Sequence, residues 1–107
     1  MKHLRLCETG KILGSRATGE QVRSQVEVWL QAGERVILDF EGVEMATPSF
    51  VDELVGKLFW TWGPQALRGQ LRIVNASPQT RALIRRMVDA RVQEWQRRET
   101  RVANAPV

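Results

Sequence analysis

A short apolar segment constrains the fold more than any other feature of the chain. Residues 35–40 read Arg-Val-Ile-Leu-Asp-Phe and are nearly continuous in apolar character between Gly33 and Gly42. An apolar run of this length, bounded by glycines, is typical of a central strand in a parallel sheet with both faces buried. The segment therefore predicts an α/β protein in which this strand lies inside the sheet.

Segments with helical periodicity alternate with the predicted strands. Strands are predicted at residues 3–8, 35–40 and 70–75, and helices at residues 16–31, 48–62 and 78–98. Ser15, Thr47 and Ser77 precede the helices as N-caps, and proline follows the last two at the first helical position. The β-α-β-α-β-α order predicts one α/β domain over residues 1–98, with a small, mostly parallel sheet and helices packed against it. Residues 99–107 are predicted to form a flexible polar tail.

Length and composition narrow the class of protein. The chain has 107 residues, 43% of them hydrophobic and 26% charged, which is ordinary for one soluble domain. No apolar run approaches the ~18 residues that a membrane span needs. The N-terminus lacks the apolar region of a signal peptide, and the single cysteine, Cys7, excludes an intramolecular disulfide framework. We therefore expect a cytoplasmic protein that does not bind membranes.

The sequence lacks a recognisable catalytic or metal-binding constellation. His3 is the only histidine and lies near the N-terminus, so we expect no Ser-His or Cys-His nucleophile pair. His3 and Cys7 are too few to ligate a metal. Asp39, Glu41 and Glu44 cluster where the central strand ends, but solvation and capping explain acidic residues at this position equally well. We expect no enzymatic activity, no metal and no cofactor.

Ser49 is the residue that its spacing singles out. It is the second residue of the helix that begins at Pro48, where backbone N–H groups lack helical partners and the helix dipole is positive. A phosphate on the Ser49 hydroxyl would meet these donors. The alternative interpretation is that Ser49 is simply a favourable residue for the first turn of a helix.

Residues 36–43 (Val-Ile-Leu-Asp-Phe-Glu-Gly-Val) and 48–54 (Pro-Ser-Phe-Val-Asp-Glu-Leu) resemble the STAS-like family of unknown function found in bacteria and their phages. Gly14-Ser15-Arg16 also fits the family, and the resemblance covers roughly residues 10–90. That family is similar to the anti-sigma-factor antagonists. In those proteins the second serine of a D-S-S-G loop is phosphorylated by a histidine-kinase-like ATPase. An alignment without gaps places Ser49 on that serine, whereas its three neighbours in the motif differ.

The resemblance implies a regulatory module that binds a partner protein, with a histidine-kinase-like ATPase as the candidate partner. The implied docking region is the loop 42–49 together with the start of the second helix, and Ser49 would be the phosphorylated switch. The partner-binding residues expected from the motif are Thr47, Pro48, Ser49, Phe50, Asp52 and Glu53. The sequence leaves open whether the chain also forms a homodimer.

Two tryptophans lie close together where the second helix ends. Trp60 and Trp62 flank Thr61, so they cannot both point toward the core. Exposed tryptophan is enriched at binding hot spots, so one of the two is a candidate interface anchor. The alternative is that this side chain packs over the edge of the sheet.

The positive charge of the chain is concentrated in its last third. Residues 1–76 contain nine basic and nine acidic residues, whereas residues 77–107 contain seven arginines and three acids. A rival interpretation is therefore nucleic-acid binding through the last helix, whose candidate residues are Arg81, Arg85, Arg86, Arg91, Arg97 and Arg98. We rank it second because these arginines point in several directions around the helix. A phage-type inhibitor of a host protein is a third interpretation.

Overall fold

A three-stranded parallel sheet forms one layer of the molecule. The computed structural model describes residues 1–103. The strands are β1 Lys2–Arg5, β2 Ile12–Leu13, β3 Val36–Asp39, β4 Met45–Ala46 and β5 Leu71–Val74. The sheet has the order β1-β3-β5, and β2 and β4 form a separate parallel pair. The prediction that the apolar run forms the central strand is confirmed, as is the α/β fold class.

The helices occupy the predicted segments, with differences at the boundaries. They are α1 Arg16–Gln31, α2 Pro48–Val51, a π-helical segment Asp52–Gly56, α3 Lys57–Trp62, α4 Pro64–Arg68 and α5 Pro78–Ala103, with a 3₁₀ turn at Leu6–Glu8. The helix predicted over residues 48–62 is thus α2, the π-helical segment and α3 in succession. The short helix α4 and the strand β4 were not predicted. No helix among the described residues is long and apolar enough to cross a membrane.

The predicted caps form as expected from the sequence. The hydroxyl oxygens of Ser15, Thr47 and Ser77 each accept a hydrogen bond from the backbone N–H three residues later. Each bond satisfies a donor that has no partner within its helix, which fixes where α1, α2 and α5 begin. These short-range interactions explain why the helix starts could be predicted from the sequence.

The sheet is buried on one face only, which corrects the prediction for the central strand. Val36, Leu38 and Phe40 are almost fully buried, whereas Ile37, between them, is half-buried and lies outside the core cluster. In the sheet order β1-β3-β5, each successive strand is added on the same side of the strand before it. Right-handed connections between strands in this order place all helices on the same face. The other face carries His3, Arg5, Ile37, Asp39, Arg72 and Val74.

The last helix is longer than the sequence predicted. Residues 99–103 were assigned to a flexible tail, but α5 continues through them to Ala103. The physical reason is the absence of a helix breaker, since no glycine or proline occurs between Pro78 and Pro106. The remainder of the predicted tail, residues 104–107, lies outside the described residues.

Gly19 allows α1 to approach α2 and the π-helical segment closely. A Cβ atom at this position would lie 3.0 Å from the Glu53 Cβ and 3.0 Å from the Phe50 carbonyl oxygen. We expect Gly19→Ala to lower the free energy of unfolding by about 1–2 kcal/mol, because crowding outweighs the gain in helix propensity. Urea denaturation measures this change. The control is Gly69→Ala, where a Cβ meets nothing within 4 Å; equal losses for both variants would contradict close packing at Gly19.

Candidate functional site

The strand pair β2–β4 presents apolar side chains to solvent beside the predicted docking loop. Ile12 is aligned with Met45, and Leu13 is aligned with Ala46. Leu13 and Ala46 are buried, whereas Ile12 and Met45 are 64% and 52% exposed. Aligned residues of neighbouring strands project to the same face, so Ile12 and Met45 lie side by side. We name this pair the ribbon surface.

Backbone and side-chain bonds hold the loop 42–49 against β2. The N–H groups of Glu44 and Thr47 donate to the carbonyl oxygens of Lys11 and Leu13, at 2.8 and 3.0 Å. The Thr47 hydroxyl also donates to the Gly14 carbonyl at 2.9 Å, while its oxygen accepts the N–H of Phe50. Thr47 therefore ties the start of α2 to the end of β2. The loop presents its exposed residues from a fixed backbone.

The predicted docking residues divide into surface and core. Pro48 is exposed, and Thr47 and Ser49 are half-buried at the start of α2. Phe50 is fully buried in the hydrophobic core. The expectation that Phe50 contributes to a docking surface does not fit this burial. Its position follows from helical periodicity, because Phe50 shares the inward face with Leu54.

Glu53, one of the expected partner-binding residues, is buried in a cluster of basic side chains. Its side chain is only 6% exposed. Arg23 contacts both its carboxylate and its backbone carbonyl, and the Lys57 ammonium lies 2.9 Å from the carboxylate. Burial opposes the ionised form, but hydrogen bonds from Arg23 and Lys57 outweigh it and lower the pKa of Glu53 from 4.5 to about 2. Glu53 is therefore engaged within the fold, which corrects its assignment to the docking surface.

Asp52 makes a separate set of ion pairs with the last helix. Arg91 donates two hydrogen bonds to the Asp52 carboxylate, at 2.8 and 2.7 Å. The hydrogen bond from Arg91 lowers the pKa of Asp52 despite its partial burial, and Arg16 adds to the effect. The Arg16 guanidinium lies 3.1 Å from Asp52 and 3.4 Å from Glu53, so it bridges the two carboxylates. The acidic pair thus connects the π-helical segment to α1 and α5, and Asp52 is not a free surface charge.

The sequence did not predict these ion pairs. Asp52 and Glu53 are adjacent on a helix and point about 100° apart, so Asp52 reaches Arg91 of α5 whereas Glu53 reaches Arg23 of α1. Their arginine partners Arg16, Arg23 and Arg91 are separated from them by 30 to 39 residues. The available signal was the occurrence of two acids at a position whose neighbours, Val51 and Leu54, are apolar. That pattern indicates partial burial, but it does not identify the arginines.

Trp60 and Trp62 differ in exposure, in agreement with their spacing. Trp62 packs against the core, and its indole N–H donates to Glu27 at 3.4 Å. Trp60 is 36% exposed, and the Arg98 guanidinium lies 4.7 Å from the centre of its ring. Arg98 also donates to the Trp60 carbonyl at 3.1 Å. Trp60 is therefore the more exposed candidate anchor, with a cation stacked on one face.

Asp39 joins the ends of the three central strands. Its carboxylate accepts hydrogen bonds from the Asn75 amide at 3.0 Å and the Glu41 N–H at 2.9 Å, and it lies 2.8 Å from the His3 ring nitrogen. The bonds from Asn75, Glu41 and His3 lower the pKa of Asp39 from 3.8 to about 2. Asn75 has φ of 61°, a left-handed conformation that asparagine tolerates. The hydrogen bond to Asp39 holds its side chain in place. These contacts give Asp39 a structural role at the end of the sheet.

The arginines of α5 do not form one basic face. Arg91 is engaged with Asp52, and Arg98 is stacked on Trp60. Arg85, Arg86 and Arg97 are exposed at different angles around the helix. This distribution matches the expectation from the sequence that the basic residues point in several directions.

Comparison with known proteins identifies a family for more than half of the chain. A family model described as a STAS-like domain of unknown function (DUF4325) matches residues 18–81. The matched region begins in α1, includes the loop 42–49 and ends in the first turn of α5. The resemblance stated from the sequence motifs is thereby confirmed. The searches of curated proteins and of solved structures found no significant match.

Proposed function

The chain belongs to the STAS-like family of unknown function (DUF4325), and on this premise we propose that it is a regulatory module that binds a partner protein and catalyses no reaction. The docking region would comprise the loop 42–49, the ribbon surface and the start of α2. The proposed partner is a histidine-kinase-like ATPase, as the similarity to anti-sigma-factor antagonists implies. The Ser49 hydroxyl would be the phosphorylated group.

The ribbon surface is the observation that carries this proposal. Ile12 and Met45 are two of the largest exposed apolar side chains, and they are neighbours across a strand pair. Adjacent exposed apolar residues favour binding to a partner protein, because an interface removes their apolar surface from water, which is energetically favourable. Met45 precedes Ser49 within the loop 42–49, which hydrogen bonds hold against β2. A rigid apolar surface next to a modifiable hydroxyl fits binding that a phosphate could regulate.

Substitution of Met45 tests the location of the surface. We expect Met45→Asp to weaken binding to the partner by at least about tenfold, because a desolvated charge replaces an apolar contact. The partner would be captured from cells of the source organism with the tagged full chain, identified by mass spectrometry, purified and titrated by calorimetry. Identification of a histidine-kinase-like ATPase would support the proposed partner.

The matched control for this experiment is Val28→Asp. Val28 is 60% exposed, like Met45, but it lies on α1 rather than on the ribbon surface. Its substitution should leave the affinity unchanged within about twofold. Equal binding of the wild type and the Met45 variant would contradict a docking site on the ribbon surface.

A charge at Ser49 tests the switch. We expect Ser49→Asp to preserve the fold, since a carboxylate in the first turn of a helix is favourable by about 0.3–1 kcal/mol. The same variant should reduce the affinity for the partner by at least about tenfold, because the charge enters the proposed interface. Thermal unfolding and calorimetric titration measure the two effects. Ser49→Ala serves as the control that keeps the surface uncharged and should bind normally.

Two outcomes would count against the switch. An unfolded Ser49→Asp variant would show that Ser49 is a structural residue of the helix start. A folded variant with wild-type affinity would show that Ser49 only completes the first turn. If phosphate transfer from ATP to the chain occurs in the presence of the purified ATPase, it should be absent in Ser49→Ala.

A further inference from the structure

A groove of about 410 Å³ lies between the outer edge of β5 and the helix α5. Its apolar walls are formed by Phe59, Ile73, Ile84 and Val88. Ile84 is buried, whereas Phe59, Ile73 and Val88 are half-buried and pack on the core from its margin. The groove therefore offers apolar surface that is continuous with the core and open to solvent.

The strand beside this groove has an unpaired edge. In the sheet order β1-β3-β5, no strand of the described residues pairs with the outer side of β5. The carbonyl oxygens of Gln70 and Val74 accept the N–H groups of Val36 and Phe40, so residues 70 and 74 turn toward β3. Backbone groups alternate in direction along a strand, so Leu71 and Ile73 direct their N–H and C=O outward. An extended chain can pair with these groups.

Two arginines of α5 place positive charge on one wall of the groove. Arg81 and Arg85 are one turn apart on α5 and line it, with Asp89 as the single acid among its lining residues. In the part of the chain that the structure describes, neither arginine forms an ion pair. Arg72 of β5 is exposed and projects to the opposite face of the sheet, since its neighbours Leu71 and Ile73 point toward the helices. Both sides of the strand edge thus attract anionic groups.

We propose that this edge binds an extended peptide segment of a partner protein in which apolar and acidic residues alternate. The segment adds to the sheet as a strand beside β5, and its backbone pairs with Leu71 and Ile73. Its apolar side chains enter the groove next to Phe59 and Val88. The alternate acidic side chains lie beside Arg72, and flanking acids reach Arg81 and Arg85.

This edge is separate from the ribbon surface. The space beside β4 is lined by Thr80 and Leu83 of α5, whereas the groove beside β5 is lined by Arg81, Ile84 and Arg85. The two surfaces lie on different sides of the start of α5. A segment bound at β5 therefore leaves the loop 42–49 accessible, and the two binding sites can be tested independently.

The test uses a short fluorescein-labelled synthetic peptide that alternates glutamate and valine, titrated with the full chain by fluorescence anisotropy. We expect the peptide to bind, and Arg85→Glu to weaken binding by at least about tenfold through charge repulsion. The matched control is Arg86→Glu, on the same helix and exposed but not part of the groove. It should change the affinity by less than about twofold.

Two further probes distinguish strand addition from simple charge attraction. A peptide that alternates lysine and valine should not bind, and a glutamate–valine peptide with N-methylated alternate amides should lose binding because it cannot pair with β5. In NMR spectra, the peptide should shift the amide resonances of residues 71–74. Absence of binding, equal effects of the two arginine variants, or retention of binding by the N-methylated peptide would overturn the proposal. Tighter binding of duplex DNA through Arg81 and Arg85, or self-association that shields the β5 amides, would also overturn it.

Discussion

Phe50→Ala is expected to lower the free energy of unfolding by about 4 kcal/mol, the cost of removing a large aromatic side chain from a packed core. Phe50 is fully buried and is among the largest such side chains of the molecule. Leu54, on the same inward face, is also fully buried, so the cavity left by alanine cannot close easily. Equilibrium denaturation in urea measures the loss, and a decrease in the midpoint with an unchanged slope indicates a change in stability alone.

The control for this prediction is Met45→Ala, which removes an exposed apolar side chain from the ribbon surface. It should change the free energy of unfolding by less than about 0.5 kcal/mol. The pair of variants separates the core from the proposed docking surface. A Phe50→Ala variant with wild-type stability and impaired partner binding would instead place Phe50 at the interface, as the sequence motif suggested.

Glu53→Gln is expected to lower the free energy of unfolding at neutral pH by about 3 kcal/mol, because it leaves the surrounding cations without their shared carboxylate in a buried position. Arg23, whose side chain is 16% exposed, loses the charge that compensates for its own desolvation. Glu44→Gln is the matched control, since Glu44 is an exposed carboxylate outside the cluster. It should have little effect on stability.

The pH dependence of stability gives an independent measure of what the Glu53 carboxylate contributes to the free energy of unfolding. The pKa of Glu53 is about 2 in the folded chain, compared with its ordinary value of 4.5. A depressed pKa stabilises the fold above pH 4.5, and the stabilisation is lost as pH falls from 4.5 toward about 2. The difference in unfolding free energy between wild type and Glu53→Gln should therefore shrink across this range. A constant difference would show that the glutamine variant acts through packing rather than through charge.

Asp39 should also make stability depend on pH, in the wild type and in Glu53→Gln, over a range that overlaps that of Glu53. Its pKa is lowered from 3.8 to about 2, so the stabilisation it provides is also lost as pH falls through this interval. Because Asp39 is unchanged in Glu53→Gln, the variant should retain a reduced pH dependence rather than lose it entirely. Unfolding curves at several pH values, compared between the two proteins, isolate the part that belongs to Glu53.

The start of α2 is the part of the candidate site that was predicted, because local chemistry determines it. Thr47 and Pro48 identified the start of α2, and the structure places Ser49 in its first turn. The ribbon surface was not predicted, because β4 has only two residues and was assigned to a loop. Its exposed pair Ile12 and Met45 depends on the alignment of two short strands that lie far apart in the sequence. No local pattern specifies such a pairing.

The sequence by itself determined the alternation of the three central strands with the major helices, the central position of β3 and the starts of α1, α2 and α5. These features depend on hydrophobic periodicity and on hydrogen bonds between residues close in the chain, such as Thr47 with Phe50. Only the tertiary structure decided which charges are buried and which face of the sheet is covered. Glu53 was predicted at the surface, but packing of α1 against the π-helical segment enclosed it with Arg23. Such contacts join distant parts of the chain, so their energies appear only when the helices are packed together.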